Sequence, residues 1–144
     1  MALDDPALAR KLGPENRPAA RGRVALRGLP APKETLALLE RFGMEPGDAD
    51  PALVIVVCDA TSLDLPAKVA AGTARPVIAL PLGAGRFDPF ERLLGEAPVA
   101  CMGVNRPKNA AVYAAMIAGD REKLRAYRDE LRRESEAKDA KLRA

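Results

Sequence analysis

Residues 53–82, LVIVVCDATSLDLPAKVAAGTARPVIALPL, constrain this chain more than any other part. Two apolar, β-branched runs are separated there by one loop and one short helical pattern. A run such as residues 53–58, with no polar alternation, suits a strand covered on both faces of a parallel sheet. Parallel strands can be joined only by crossovers, so the segment reads as strand, loop, helix and second parallel strand. Pro66 is acceptable in the first turn of the helix over residues 65–71, and Gly72 closes it.

The rest of the chain repeats that alternation. Residues 23–27 form a short strand candidate ending at Gly28, and residues 32–42 a helix in which Leu36, Leu39 and Phe42 recur at helical spacing before Gly43. Residues 44–52, MEPGDADPA, hold only turn formers and connect straight to the next strand. Residues 77–82 and 98–104 are further strands. A short helix is expected over residues 89–94 with Asp88 as N-cap. Pro107 starts the small-residue helix KNAAVYAAMIAG, and Gly119 separates it from a charged helix over residues 120–142. Strands and helices alternating at these lengths define an α/β domain with a parallel sheet of about four strands. The expected organisation is an N-terminal arm over residues 1–21, an α/β domain over 22–119 and a C-terminal helix over 120–144.

Composition narrows the function classes. With 144 residues, 48% of them apolar, the chain can bury the core of one domain. Its net charge is only +3, basic residues are mixed among acidic ones, and aromatics make up 3%, which argues against a nucleic-acid surface. No apolar run is long enough to span a bilayer, so a cytoplasmic protein without membrane attachment is expected. Cys58 and Cys101 both sit in apolar strand-like runs, where a free cysteine behaves as a small hydrophobe. There is no histidine, so no metal site is expected, and no cofactor.

In an open parallel sheet, ligands bind at the carboxyl ends of the strands. That rule selects Gly28, the loop from Asp59 to Asp64, Gly83 to Arg86, and Asn105 to Asn109. Asp59, Thr61, Ser62 and Asp64 bring two carboxylates and two hydroxyls ahead of a helix. They are candidates for holding a sugar hydroxyl, a metal or a protonated base, although Ser62 or Asp64 serves equally well as a helix cap. Gly83, Ala84 and Gly85 before Arg86 suit either an anion or a plain turn. Lys108 and Asn109 lie in the first turn of a helix, where an anion is stabilised by free N–H groups. In the last helix, Leu124, Tyr127 and Leu131 make a narrow apolar stripe that must dock, on a neighbouring subunit or on its own sheet.

The order PVIALPL, PVACMGV, KNAAVYAAMI, LRAYRDEL and KDAKL resembles the aminoimidazole ribonucleotide carboxylase and carboxyaminoimidazole ribonucleotide mutase family, PurE-like proteins of purine biosynthesis. The resemblance covers residues 53–142 and, more weakly, 23–43. It implies a three-layer, flavodoxin-like α/β fold and a homo-oligomer, an octamer in that family, with the C-terminal helix reaching a neighbour. It also implies a nucleotide-like small molecule as ligand. The family's Ser-Asp-Ser-Asp type phosphate loop has no counterpart, since Gly28 runs directly into Leu29 and Pro30. The Ser-Ala-His-Arg segment with its proton-moving histidine has none in MEPGDADPA. The family's Gly-Ala-Gly-Gly-Ala-Ala-His-Leu-Pro motif corresponds to residues 58–66, where only Leu65 and Pro66 match and Asp64 replaces the histidine. Lys108, Asn109 and Ala110 match as a helix start.

Two readings follow, beside the plain one of a structural scaffold whose loops bind nothing. One is a reduced family member without the family's catalysis, acting through oligomeric assembly or binding a nucleotide-like ligand. The other is an active carboxylase or mutase in which Asp59 and Asp64 replace the missing histidine.

Overall fold

The computed structural model describes residues 22–83 and 98–144. The expected N-terminal arm, the helix over residues 89–94 with its Asp88 cap, and Arg86 lie outside the described residues. In chain order the elements are β1 (Arg23–Gly28), α1 (Lys33–Arg41), β2 (Glu45–Pro46), β3 (Leu53–Cys58), α2 (Leu65–Ala71), β4 (Val77–Pro81), β5 (Val99–Cys101), α3 (Pro107–Ala118) and α4 (Arg121–Arg143).

The strands form one all-parallel sheet in the order β2-β1-β3-β4-β5, the flavodoxin-like arrangement. β3 is its centre, flanked by β1 and β4, and all six of its residues are buried. This explains the unbroken apolar run: both faces of β3 are covered, so neither set of alternate side chains is selected for polarity. Ile55 and Val57 join Val24, Ile78 and Leu80 under Leu39, Phe42 and the alanines of α3. On the opposite face Val54 and Val56 join Ala25 and Val77 beneath Leu65 and Val69 of α2.

Two sequence expectations are corrected. MEPGDADPA does not run straight from helix to strand, because Glu45 and Pro46 pair with Arg23 and Val24 as a fifth, two-residue edge strand. Its brevity hides it from any periodicity, and a proline at an edge costs no ladder bond on the outer side. The last strand is also shorter than expected, Val99–Cys101, because Met102 and Asn105 leave the ladder to bond the carbonyls of Ala79 and Pro81 singly.

α1 ends in a Schellman motif. Gly43, at φ +71°, lets its own N–H reach Glu40 O at 3.0 Å and that of Met44 reach Leu39 O at 2.8 Å. Asp120 caps α4, accepting from the N–H groups of Glu122 and Lys123, while its own N–H bonds Phe42 O at 2.9 Å. α4 therefore starts against the end of α1. Leu124 is buried there, Tyr127 meets Phe42 edge to face at 5.4 Å between ring centroids, and Arg41 lies over the Tyr127 ring while pairing with Glu130. Leu131 and all later residues of α4 are exposed. The apolar stripe thus divides: Leu124 and Tyr127 dock within the chain, and Leu131 does not.

Candidate functional site

In the order β2-β1-β3-β4-β5 the strands are added outward to one side from β1 and then to the other from β3, and the carboxyl ends of those two strands mark the expected ligand crevice. Gly28 ends β1 there, at φ +85°. A Cβ at this position would lie 2.1 Å from Val57 O and 3.2 Å from a methyl of Leu65. The N–H of Leu29 bonds Val57 O at 2.9 Å, so the ends of β1 and β3 are joined backbone to backbone. Glycine is required at position 28 by that approach.

The loop after β3 folds around one carboxylate oxygen. Oδ1 of Asp59 accepts from the Thr61 N–H at 2.9 Å, the Thr61 hydroxyl at 2.7 Å and the Ser62 hydroxyl at 3.1 Å. Ser62 Oγ in turn accepts from the Asp59 N–H at 3.0 Å. The Thr61 hydroxyl and N–H, followed by the Ser62 hydroxyl, favour the ionised form of Asp59 and hold its carboxyl below the ordinary range. Asp64 occupies the N-cap position of α2 without a capping bond from its side chain, which pairs with Lys68 at 3.0 Å one turn later. Ser62 is likewise committed to Asp59, and its carbonyl accepts from the Leu65 N–H at 3.1 Å. Neither residue caps the helix through its side chain as the sequence suggested.

Between the ends of β4 and β5, Asn105 and Gly83 are clasped. The Asn105 amide oxygen accepts from the Gly83 N–H at 3.0 Å, and its Nδ2 donates to Gly83 O at 2.6 Å. Asn105 sits at φ +55°, a conformation asparagine tolerates better than other non-glycine residues. The pairing is the one that sequence reasoning left unassigned. The available signal was an asparagine two residues before a helix-starting proline. Lys108 and Asn109 are exposed in the first turn of α3. The start of α3 is fixed by Thr35 of α1, the buried polar residue of the described core, whose hydroxyl donates to Pro107 O at 2.8 Å.

The sequence candidates thus fall into separate groups. Gly28 belongs to the β1–β3 closure, Asp59, Thr61 and Ser62 form one loop, and Gly83 belongs with Asn105. Asp64 is bound to its own helix. Cys58, beneath this rim, is fully buried, and burial is the main reason its thiol is pushed up to about 11, with Cys101 and Asp59 adding to the effect. A protonated, inaccessible thiol is neither nucleophile nor metal ligand. Among the described residues no three side chains of metal-ligand type gather, and no helix is long and apolar enough to cross a membrane.

Sheet order and rim together define a flavodoxin-like α/β protein whose strand ends are joined by its own hydrogen bonds. The family model of AIR carboxylase matches residues 35–140, and this chain belongs to that family. It is similar to the N5-carboxyaminoimidazole ribonucleotide mutase of Methanocaldococcus jannaschii, with 32% identity over 100 residues covering 62% of this chain and 63% of the relative. The protein of the same name from Mycobacterium tuberculosis is 32% identical over 113 residues, covering 70% of this chain and 65% of its own length. That from Mycobacterium leprae is 30% identical over 115 residues, or 72% and 67%. The chain spans less than two thirds of the archaeal and Mycobacterium tuberculosis relatives it matches.

Proposed function

We propose that this chain is a family member that has kept the sheet and the long C-terminal helix, acts as a homo-oligomeric assembly subunit, and does not transfer a carboxylate. The observation that carries the reading is the state of Asp59. Moving a proton at an imidazole carbon requires a base poised near the working pH. Asp59 is the rim carboxylate nearest the end of the central strand, and three donors on a single oxygen make it a weaker base than a free carboxylate. Asp64 is held by Lys68, and the sequence contains no histidine to take over the role.

Assembly is supported by the surfaces left uncovered. Tyr113, Met116 and Ile117 form an exposed apolar row at helical spacing on α3, and Leu131 lies exposed on α4 beyond its docked turns. An octamer, as in the resembling family, is the size this reading adopts.

The purified chain is to be mixed with N5-carboxyaminoimidazole ribonucleotide, the substrate in the relatives' name, and interconversion followed by absorbance. No rate above the spontaneous one is expected. Turnover that disappears in Asp59→Asn or Asp64→Asn supports the active-enzyme alternative and overturns this one. Light scattering on the same sample tests the assembly arm: a defined oligomer weakened by Met116→Glu and Leu131→Glu is expected, and a monomer removes it. Leu124 is a poor choice for that test, because it is packed within the chain.

A further inference from the structure

The carbonyls of β1 that face its outer edge recur every second residue. Gly22 O accepts from the Glu45 N–H at 2.6 Å, and Val24 O from the Gly47 N–H at 2.9 Å. β2 ends at Pro46, so no further strand residue reaches the row. The next acceptor, Leu26 O, is nevertheless met, by Nη1 of Arg27 at 3.1 Å. That same nitrogen donates to Asp48 at 2.5 Å. Two more arginines hold the loop that carries Asp48. Arg23 Nη1 donates to Ala49 O at 2.6 Å, and Arg75 pairs with Asp50 at 3.0 Å, where the backbone turns through φ +48°.

We infer that Arg27 and Asp48 form an edge guard: the guanidinium stands in for the missing rung beyond β2, and the acidic loop it anchors closes β1 to strand addition by a second copy of this chain. Four of the six β1 residues, Ala25 to Gly28, have no strand partner on this side. An open edge invites pairing, and a second copy is the fitting partner because two identical edges related by a two-fold axis are self-complementary in antiparallel register. A charge on the edge and a covering loop are two means of blocking it, and both meet at Arg27. The guard is separate from the helical surfaces proposed for assembly, so the two readings fail independently.

Asp48 is exposed, so Asp48→Lys leaves the core intact while reversing the pair. At low protein concentration, hydrogen exchange at the Glu45 and Gly47 amides is expected to accelerate roughly two- to fivefold, the range for loss of an exposed ion pair. Sedimentation velocity is then expected to show species larger than those of the unaltered protein, growing with concentration. Asp48→Glu, which keeps a carboxylate opposite Arg27 and leaves the guanidinium on Leu26 O, is expected to leave both measurements at those of the unaltered protein. Accelerated exchange with an unchanged size distribution overturns the guard, since the opened edge then attracts no second copy. Unchanged exchange overturns it as well, because the pair then holds nothing closed.

Discussion

Replacing Gly28 by alanine tests whether this rim is built for its own closure. At φ +85° an alanine costs about 1–2 kcal/mol in backbone strain alone. Its Cβ would fall 2.1 Å from Val57 O, a backbone atom of the buried central strand, so no side-chain rotation relieves the overlap. The end of β1 must move away from β3, stretching the 2.9 Å bond from the Leu29 N–H to Val57 O at a further cost of about 1 kcal/mol. The displaced backbone adds about 1–3 kcal/mol more by analogy with overpacking. The total, about 3–6 kcal/mol, is a large part of a typical domain's stability. Urea unfolding measures it, and with a slope of about 1–3 kcal/mol/M the midpoint is expected to fall by roughly 2 M. Gly72→Ala is the control. Gly72 has φ −99° and its nearest neighbour would lie 3.6 Å from the new Cβ, so alanine there is expected to leave the midpoint unchanged or raise it slightly. A Gly28→Ala midpoint equal to that of the unaltered protein would refute the argument and return Gly28 to the list of residues kept for a ligand.

Two further outcomes are expected. Cys58 holds its proton in the folded chain to about pH 11, whereas the unfolded thiol releases it near its ordinary value of 9.0. The unfolded state therefore binds fewer protons between those values, and folding stability falls as pH rises through the window, by about 2 kcal/mol from this group. Chemical denaturation at a series of pH values should show a shallower decline in Cys58→Ala, and an identical decline in both proteins would remove Cys58 as the cause. Asn105→Ala loses both bonds to Gly83 and places alanine at φ +55°, so a loss of about 2 kcal/mol is expected, whereas Asn105→Gly, which keeps the backbone freedom, should lose about half of that.

The centre of the fold was legible because burial writes itself into sequence. A strand covered on both faces excludes polar residues, and so residues 53–58 and 65–71 were delimited from apolar runs and glycine alone. At the edges that signal fades. Glu45 and Pro46 are exposed, belong to the sheet through backbone atoms only, and carry no pattern that marks them as a strand. The rim was legible in position but not in use. The carboxyl-end rule picked out Asp59, Thr61, Ser62 and the region of Asn105, and the structure places them on the loops that follow β3 and β5. Whether a hydroxyl turns toward a ligand or back to its own loop, however, depends on a few degrees of backbone rotation that residue types do not encode.

That division between centre and edge has a physical consequence for how such a chain can diverge. Removing a rung from the middle of the sheet would leave β3 with unpaired buried backbone groups, each a heavy cost. At the outer side of β1 the same groups face water, and one guanidinium suffices to answer Leu26 O while ion pairs hold the replacing loop. The rim obeys the same logic. Bonds within the loop of Asp59 and between Asn105 and Gly83 satisfy polar groups that would otherwise need a ligand or ordered water. Among the described residues, a ligand that took the donors now held by one oxygen of Asp59, or the groups clasped between Asn105 and Gly83, would first have to break those bonds and would bind against that cost. On the reading proposed above, the sheet persists without a substrate, and its persistence rests on what the exposed faces of α3 and α4 hold together.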